Sequence, residues 1–347
     1  MKSGVKSLFH PVRLAMRDFE GSTVRAALHE VFAPDAMIHL CQPFGDLIGP
    51  DALYDRAYAP LLAAFPDLER RDWIILSGQD QEGQLWLGAA GHYIGTFAWP
   101  WLDIPATGHI ALMRFHEFYR FANGRIVEMQ AIWDIPELMI QAGAWPLSPS
   151  LGKDLVVPSP ATQDGLVHHG DTDARAAESI KIVLDMLAAM KRHPHEGGPE
   201  LMDLPRYWHP RMNWYGPAGI GTSRGIKGFR NWHQIPFLNA MPDRGQHPEK
   251  TSAHFFGEGD YVAVTGWPDM AQTISHPGWL GIAPTGQFLT LCSLDFWRLE
   301  EGLIRENWVL VDLLDTLTKV GIDPLSRMRE FNKARMGFDP DTGKALI

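Results

Sequence analysis

Apolar residues recur at three- and four-residue steps through positions 13–20 and 22–32, and this spacing predicts two helices. Ser22 and Thr23 offer a cap before Val24. The stretch 51–65 repeats the pattern, with Leu53, Ala57, Leu61, Leu62 and Phe65 on one side, and Pro66-Asp67 stops it. Positions 37–40 read as a short strand. The period then changes. Segments 72–77, 85–95, 109–121 and 125–134 are rich in Ile, Val, Phe, Tyr and Trp, and Gly78, Gly83, Gly108 and Gly124 separate them. Ala122-Asn123-Gly124 is a hairpin signal. A short helix at 136–143 closes the block.

The same text then appears a second time. Gly108, Phe118, Arg120, Gly124, Glu128, Asp134, Gly143 and Pro146 are matched 178 positions later by Gly286, Phe296, Arg298, Gly302, Glu306, Asp312, Gly321 and Pro324. Upstream, Pro34, Gly49, Pro60 and Pro66 match Pro210, Gly225, Pro236 and Pro242 at a spacing of 176. A gapless match over about forty residues marks an internal duplication, and the period is too long for a solenoid of roughly 20–50-residue repeats. The second copy is predicted to run helix at 172–191, 200–207 and 225–241, with strands at 211–215, 251–257, 261–267, 287–299 and 303–312. Two domains of residues 1–147 and 171–347 are expected, joined by a proline-rich linker at 148–170. Helices followed by an antiparallel meander give an α+β unit. We expect two tandem cone-shaped domains, each a curved antiparallel sheet with helices covering its concave face and room for a ligand.

Composition narrows the function. The 347 residues carry a net charge of −10, which argues against a nucleic-acid partner. Neither a signal peptide nor a membrane-spanning apolar run is visible. Cys41 and Cys292 are the only cysteines, so no disulfide framework or cysteine zinc site is expected, and a cytoplasmic location with reduced thiols follows. No metal motif, phosphate loop or nucleophile elbow occurs, and no cofactor is expected. Thirteen Trp and seventeen Phe, Trp214 and Trp267 among them, suit a hydrophobic small-molecule pocket.

The segments Pro105-Ala106-Thr107-Gly108, Phe118-Tyr119-Arg120, Asn123-Gly124-Arg125-Ile126 and Trp133-Asp134 resemble the SnoaL-like polyketide cyclase family, of the nuclear transport factor 2-like superfamily. Copy two supplies Pro284-Thr285-Gly286, Phe296-Trp297-Arg298 and Glu306-Asn307-Trp308-Val309-Leu310-Val311-Asp312. The resemblance implies a cone fold, no cofactor, and an acid/base Asp at the end of the last strand, hence Asp134 and Asp312. It also implies a sheet-face dimer, here an intramolecular pseudo-dimer to which Trp133 and Val311 would contribute. Association into a homo-oligomer stays open.

Alternation places Gln130 and Asp134 on one face of their strand, and His116 and Phe118 on one face of the neighbouring strand. With those faces turned into the cone, Asp134, Asp312 and His116 become catalytic candidates, the carboxyls raised by burial toward neutrality. His39, His92, Gln130, Phe118, Tyr215, Trp214, Trp267 and Trp308 become substrate-binding candidates. Glu128 and Glu306 are read as structural partners of Arg120 and Arg298. The expected activity is an enolate-forming cyclase, isomerase or lyase on an aromatic or polyketide-like carbonyl compound; a non-catalytic binding module is the alternative.

Overall fold

The computed structural model describes residues 2–168 and 172–333; residues 169–171 and 334–347, which the expected linker and second domain include, lie outside the described residues. Copy one opens with helices Lys2–Ala15 and Gly21–Val31. It continues through β1 (Phe32–Leu40), β2 (Gly45–Ile48), a helical stretch at 49–64, β3 (Glu69–Gln79), β4 (Leu85–Thr96), β5 (Ile110–Ala122), β6 (Arg125–Trp133) and helix Ile135–Gln141. Copy two opens with helix Thr172–Lys191 and then gives β7 (Trp208–Tyr215), β8 (Thr222–Arg224), a helical stretch at 225–240, β9 (His254–Glu258), β10 (Tyr261–Thr265), β11 (Met270–Thr273), β12 (Phe288–Leu291), β13 (Ser293–Glu300) and β14 (Leu303–Val311).

The two sheets have the same strand order, β2-β1-β6-β5-β4-β3 and β8-β7-β14-β13-β10-β9. Their pairs are antiparallel except β1 with β6 and β7 with β14. The parallel pair arises because the chain returns to β1 only after crossing the whole unit. Where copy one has the single strand β4, copy two has β10 and β11 with Pro268 between them, since proline cannot donate to a ladder. The strand expected at 287–299 divides at Cys292 into β12 and β13, and β12 pairs with β11 in a separate two-stranded ladder.

The sheets pack face to face about a pseudo-two-fold axis. Positions separated by 178 face one another there: His116 Nδ1 lies 2.7 Å from the Leu294 carbonyl, and Phe118 stacks on Phe296 with ring centres 5.0 Å apart. A residue meeting its own equivalent marks the axis of an isologous contact. Away from the axis the contacts are reciprocal. Asp134 Oδ2 accepts from the Ala218 N–H at 3.0 Å, and Asp312 Oδ2 accepts from the Gln42 N–H at 2.9 Å. Gln42 and Ala218 are equivalent positions, so each copy holds the loop after the other's first strand. Gly88 suits this contact, because a Cβ there would stand 3.0 Å from the Phe296 ring and 3.1 Å from Phe118, so the rings would have to give way by a few tenths of an ångström.

This arrangement reverses one sequence expectation. The outer faces of β5 and β6 carry His116, Phe118, Gln130 and Asp134 against copy two. The inner faces carry Glu117, Tyr119 and Trp133. Trp133 therefore points into the cone, donating from Nε1 to Glu117 at 2.9 Å, and Val311 likewise lines the hollow of copy two. Phe118→Ala should cost about 3–5 kcal/mol in urea unfolding, the usual loss for a buried Phe; a loss below about 1 kcal/mol would show that the axis contact does not carry the pairing.

Candidate active site

Because β5 and β13 are equivalent, the interiors of the two cones can be compared position by position. In copy one the described side chains under the sheet are closely packed. Glu117 is fully buried, and its carboxylate accepts from Tyr93 Oη at 2.8 Å, Trp133 Nε1 at 2.9 Å, Tyr119 Oη at 2.5 Å and the Arg70 guanidinium. Tyr58 packs on Trp133 with ring centres 5.5 Å apart. These side chains fill the space under the sheet.

Copy two replaces them. Gln234 stands at the place of Tyr58, Asp295 of Glu117, Trp297 of Tyr119 and Val311 of Trp133. Met270 takes the place of Tyr93, each opposite the equivalent residue of the adjoining strand, Leu291 and Met113. Trp to Val and Tyr to Met or Gln remove bulk, and a cavity of ≈ 90 Å³ opens. Its walls are apolar: Trp208, Trp214, Phe229 and Phe237, with Met186 and Met190 from helix Thr172–Lys191.

Three ionisable residues enter this hollow. Asp295 on β13 is half-buried, and its Oδ1 has no hydrogen-bond partner among the described residues. Burial and the neighbouring Asp269 push its carboxyl well above the ordinary carboxylate range. Asp269 is pushed up to about 7 by burial, although the Ser293 N–H and Oγ hold its two oxygens at 2.6 and 2.7 Å. Arg244 also lines the cavity, its guanidinium made less basic by burial. His233 lies between Trp214, 3.9 Å away and nearly coplanar, and Phe237 at 5.6 Å. Burial, with help from Arg244, lowers its pKa to about 3, so the ring is neutral, and Nδ1 has no partner. His233 and Gln234 end a π-helical turn, Arg230–Gln234, equivalent to Tyr54–Tyr58 in copy one; such turns often re-aim side chains at functional sites.

Further polar atoms around the cavity are also unpartnered among the described residues: Trp208 Nε1, Trp279 Nε1, Trp297 Nε1 and Gln234 Oε1. Leaving a buried donor or acceptor unmet costs about 1–3 kcal/mol each. Several around one hollow mark a place built for an occupant with oxygen or nitrogen atoms.

The residues expected to form the site are distributed differently. Trp214 lines the cavity. Asp134 and Asp312 pin the copies together, and His116 and Phe118 lie on the axis. Gln130 Oε1 accepts from Thr265 across the interface at 2.6 Å. His39 holds Asp46 at 2.7 Å and lies over Trp267. His92 accepts from Trp73 Nε1 at 3.3 Å, and burial lowers its pKa to about 3. Tyr215 stacks on Trp308 and donates to Glu306 at 3.3 Å, while Trp308 donates to the Pro158 carbonyl at 3.1 Å. Apart from Trp214, none of these lines the cone of copy two; on β5 alternation turns His116 and Phe118 outward, toward the other copy. Asp295, His233 and Arg244 escaped the sequence reading, although a signal was present: they stand at the places of Glu117, Ala57 and Leu68, so copy two gains a histidine and an arginine where copy one is apolar.

Among the described residues, Asp80, Glu82 and His254 form a group that could hold a metal ion. The Asp80 oxygens are already engaged by the Glu82 and Gln84 N–H groups, Trp86 Nε1 and His254 Nδ1, at 2.8–3.0 Å. That group clamps the copies together.

A duplicated α+β cone with one closely packed and one open interior is a small-molecule-binding architecture. The sequence profile of the SnoaL-like polyketide cyclase family matches residues 11–142 and 197–320, roughly three-quarters of the chain, and the protein belongs to that family. Similar solved structures include wild-type IdmH from Streptomyces antibioticus (24% identity, TM-score 0.33, 40% of this chain and 97% of that chain). AclR from Streptomyces galilaeus (18%, 0.35, 41% and 98%) and TsrD from Streptomyces laurentii (18%, 0.34, 41% and 97%) are comparable. No curated protein matches the chain. No helix among the described residues is long and apolar enough to cross a membrane.

Restoring the side chains of copy one, with Met270→Tyr and Val311→Trp together, should close the hollow. The thermal shift induced by an aryl ketone such as 2-tetralone should then vanish while the melting temperature is held; a retained shift would place binding elsewhere.

Proposed function

We propose that the chain is an acid/base enzyme acting through an enolate on a hydrophobic carbonyl compound of aromatic or polyketide-like type, in the cone of copy two. The observation that carries this reading is the unpartnered Asp295 oxygen in an aromatic-walled cavity. A carboxylate there is a stronger base than one in water, because burial raises its affinity for a proton. Asp295 takes a proton from the carbon beside the carbonyl. The electron pair of the C–H bond moves into the enolate, whose oxygen is met by N–H donors: Trp297 and Trp279, with Arg244 supplying positive charge. Neutral His233 suits a hydrogen bond to the same substrate without competing for the proton. The enolate carbon then attacks a second carbonyl, is reprotonated at another position, or expels a leaving group, and Asp295 returns its proton in each case. These outcomes are cyclisation, isomerisation and elimination.

Size constrains the substrate. A cavity of ≈ 90 Å³ is smaller than the ~150 Å³ that admits benzene in an engineered apolar cavity. A ring substrate therefore needs the wall to yield, and Met186, Met190 and Met270 are unbranched side chains suited to that.

The test is hydrogen–deuterium exchange beside the carbonyl of 2-tetralone, followed by NMR in D₂O. Asp295→Asn should slow enzyme-dependent exchange by about 10²–10⁴-fold with little change in melting temperature. Binding without exchange in the parent protein would instead support a non-catalytic binding module.

The pH dependence has a defined sign. The base acts only when ionised, so the exchange rate should climb as pH rises through the raised Asp295 pKa, where an ordinary Asp near about 4 would give a flat profile. His233, titrating near 3, contributes no limb above about pH 5. Above about pH 7 Asp269 carries charge and opposes ionisation of Asp295, so Asp269→Asn should move the limb to lower pH. A rate independent of pH at every pH above about 4 at which the fold persists would remove Asp295 as the base.

A further inference from the structure

The duplication creates a second pair of equivalent places, at the two ends of the interface. At one end Asp312 is satisfied: Oδ1 accepts from the Asp315 N–H at 3.0 Å, and Oδ2 from Gln42. Asp315 in turn pairs with Lys319 at 2.6 Å. At the other end the equivalents are Asp134 and Glu137, and the arrangement is open. A cleft of ≈ 200 Å³ lies there between helix Ile135–Gln141 of copy one, the linker at 153–157 and the loop at 216–222 of copy two.

Asp134 is 3% exposed and lines this cleft, and its Oδ1 has no partner among the described residues. Glu137, which also lines it, accepts the Arg114 N–H at 2.6 Å. Arg114 is the buried cation of the site, and its guanidinium is shared between Asp134 and two backbone carbonyls. It donates to the carbonyls of Tyr215 at 3.1 Å and Gly216 at 2.7 Å, and meets Asp134 Oδ2 at 3.2 Å. Asp154, half-buried, adds a third carboxyl to the lining, and Lys153, exposed, is the other cation there. The remaining wall is apolar, from Ile140, Leu155, Val156 and Val157.

We propose that this cleft is a second ligand site, separate from the cone, that binds a small primary ammonium ion carrying a hydrocarbon body. The ammonium supplies up to three donors to a site with surplus acceptors, Asp134 Oδ1 and the Glu137 carboxyl. Its charge answers three carboxyls faced by Arg114 and Lys153. Burial raises Asp134 despite Arg114, and pushes Glu137 up to about 8 with help from Asp134; an ammonium ion seated beside them would favour their ionised forms. The volume exceeds the ~150 Å³ that takes benzene, so the hydrocarbon body is the size of one ring. Neither copy alone builds the site, because linker and loop close it only when both are present.

The probe is benzylamine, titrated calorimetrically into the whole chain at about pH 8.5, where the Glu137 carboxyl is largely ionised, with benzyl alcohol and benzoate as neutral and anionic counterparts of the same shape. Benzylamine should bind and the counterparts bind at least about tenfold more weakly, the value of one or more hydrogen bonds to a charged group. Glu137→Gln and Asp134→Asn should each weaken benzylamine by about tenfold or more, whereas Asp295→Asn should leave it unchanged. Asp134→Asn also touches the Ala218 contact, so Glu137→Gln and Ile140→Trp, which blocks the cleft from the outer helix, keep the test decisive if that variant fails to fold. No binding of benzylamine at millimolar concentration, equal or tighter binding of benzoate, or indifference to both Glu137→Gln and Ile140→Trp would overturn the proposal.

Discussion

The packing of β5 against β13 about the pseudo-two-fold axis fixes everything else in this protein. Once Phe118 meets Phe296 and His116 meets the Leu294 carbonyl, strand alternation leaves no freedom. Even-numbered positions on β5 and β13 belong to the interface, and odd-numbered positions belong to the cones. The reciprocal Asp134–Ala218 and Asp312–Gln42 contacts then set how far each copy reaches over the other.

Within that frame, duplication has allowed equivalent positions to specialise. Cone one spends Glu117 on four buried donors and packs its interior with Tyr58, Tyr93 and Trp133, which stabilises the fold and excludes ligands. Cone two keeps an acid at the same place but shortens it to Asp295, loses the rings at the places of Tyr58, Tyr93 and Trp133, and adds His233 and Arg244. The junctions diverge in the same manner, one closed around Asp312 and one open beside Asp134. One copy serves as scaffold, and the polar groups left unmet in the other are a cost in stability that a functional site commonly carries.

The electrostatics of the open cone follow from burial more than from ion pairing. Asp295 and Asp269 are both driven upward, and His233 downward, with desolvation the first cause in each case. A neutral imidazole and a raised carboxyl therefore share one lining, and the walls that desolvate them are aromatic.

The hairpins, the repeat and most of the element order were legible in the chain, because glycine turns and apolar periodicity are local properties; the first helix, read at 13–20, lies at Lys2–Ala15, and the short edge strands β2 and β8 were missed. The spacing of 178 even predicted which residues would be equivalent. The faces were not legible. On β5 the positions from Met113 to Tyr119 are all buried, since helices cover one side and the other sheet covers the second, and a strand buried on both sides loses the alternation that tells inside from outside. The sequence by itself therefore determined two copies of one α+β unit and the acid kept at 117 and 295. Only tertiary structure decided that Asp134, Asp312 and His116 serve the contact between copies while Asp295 faces the hollow, because that choice depends on which side of a strand buried on both faces meets its duplicate.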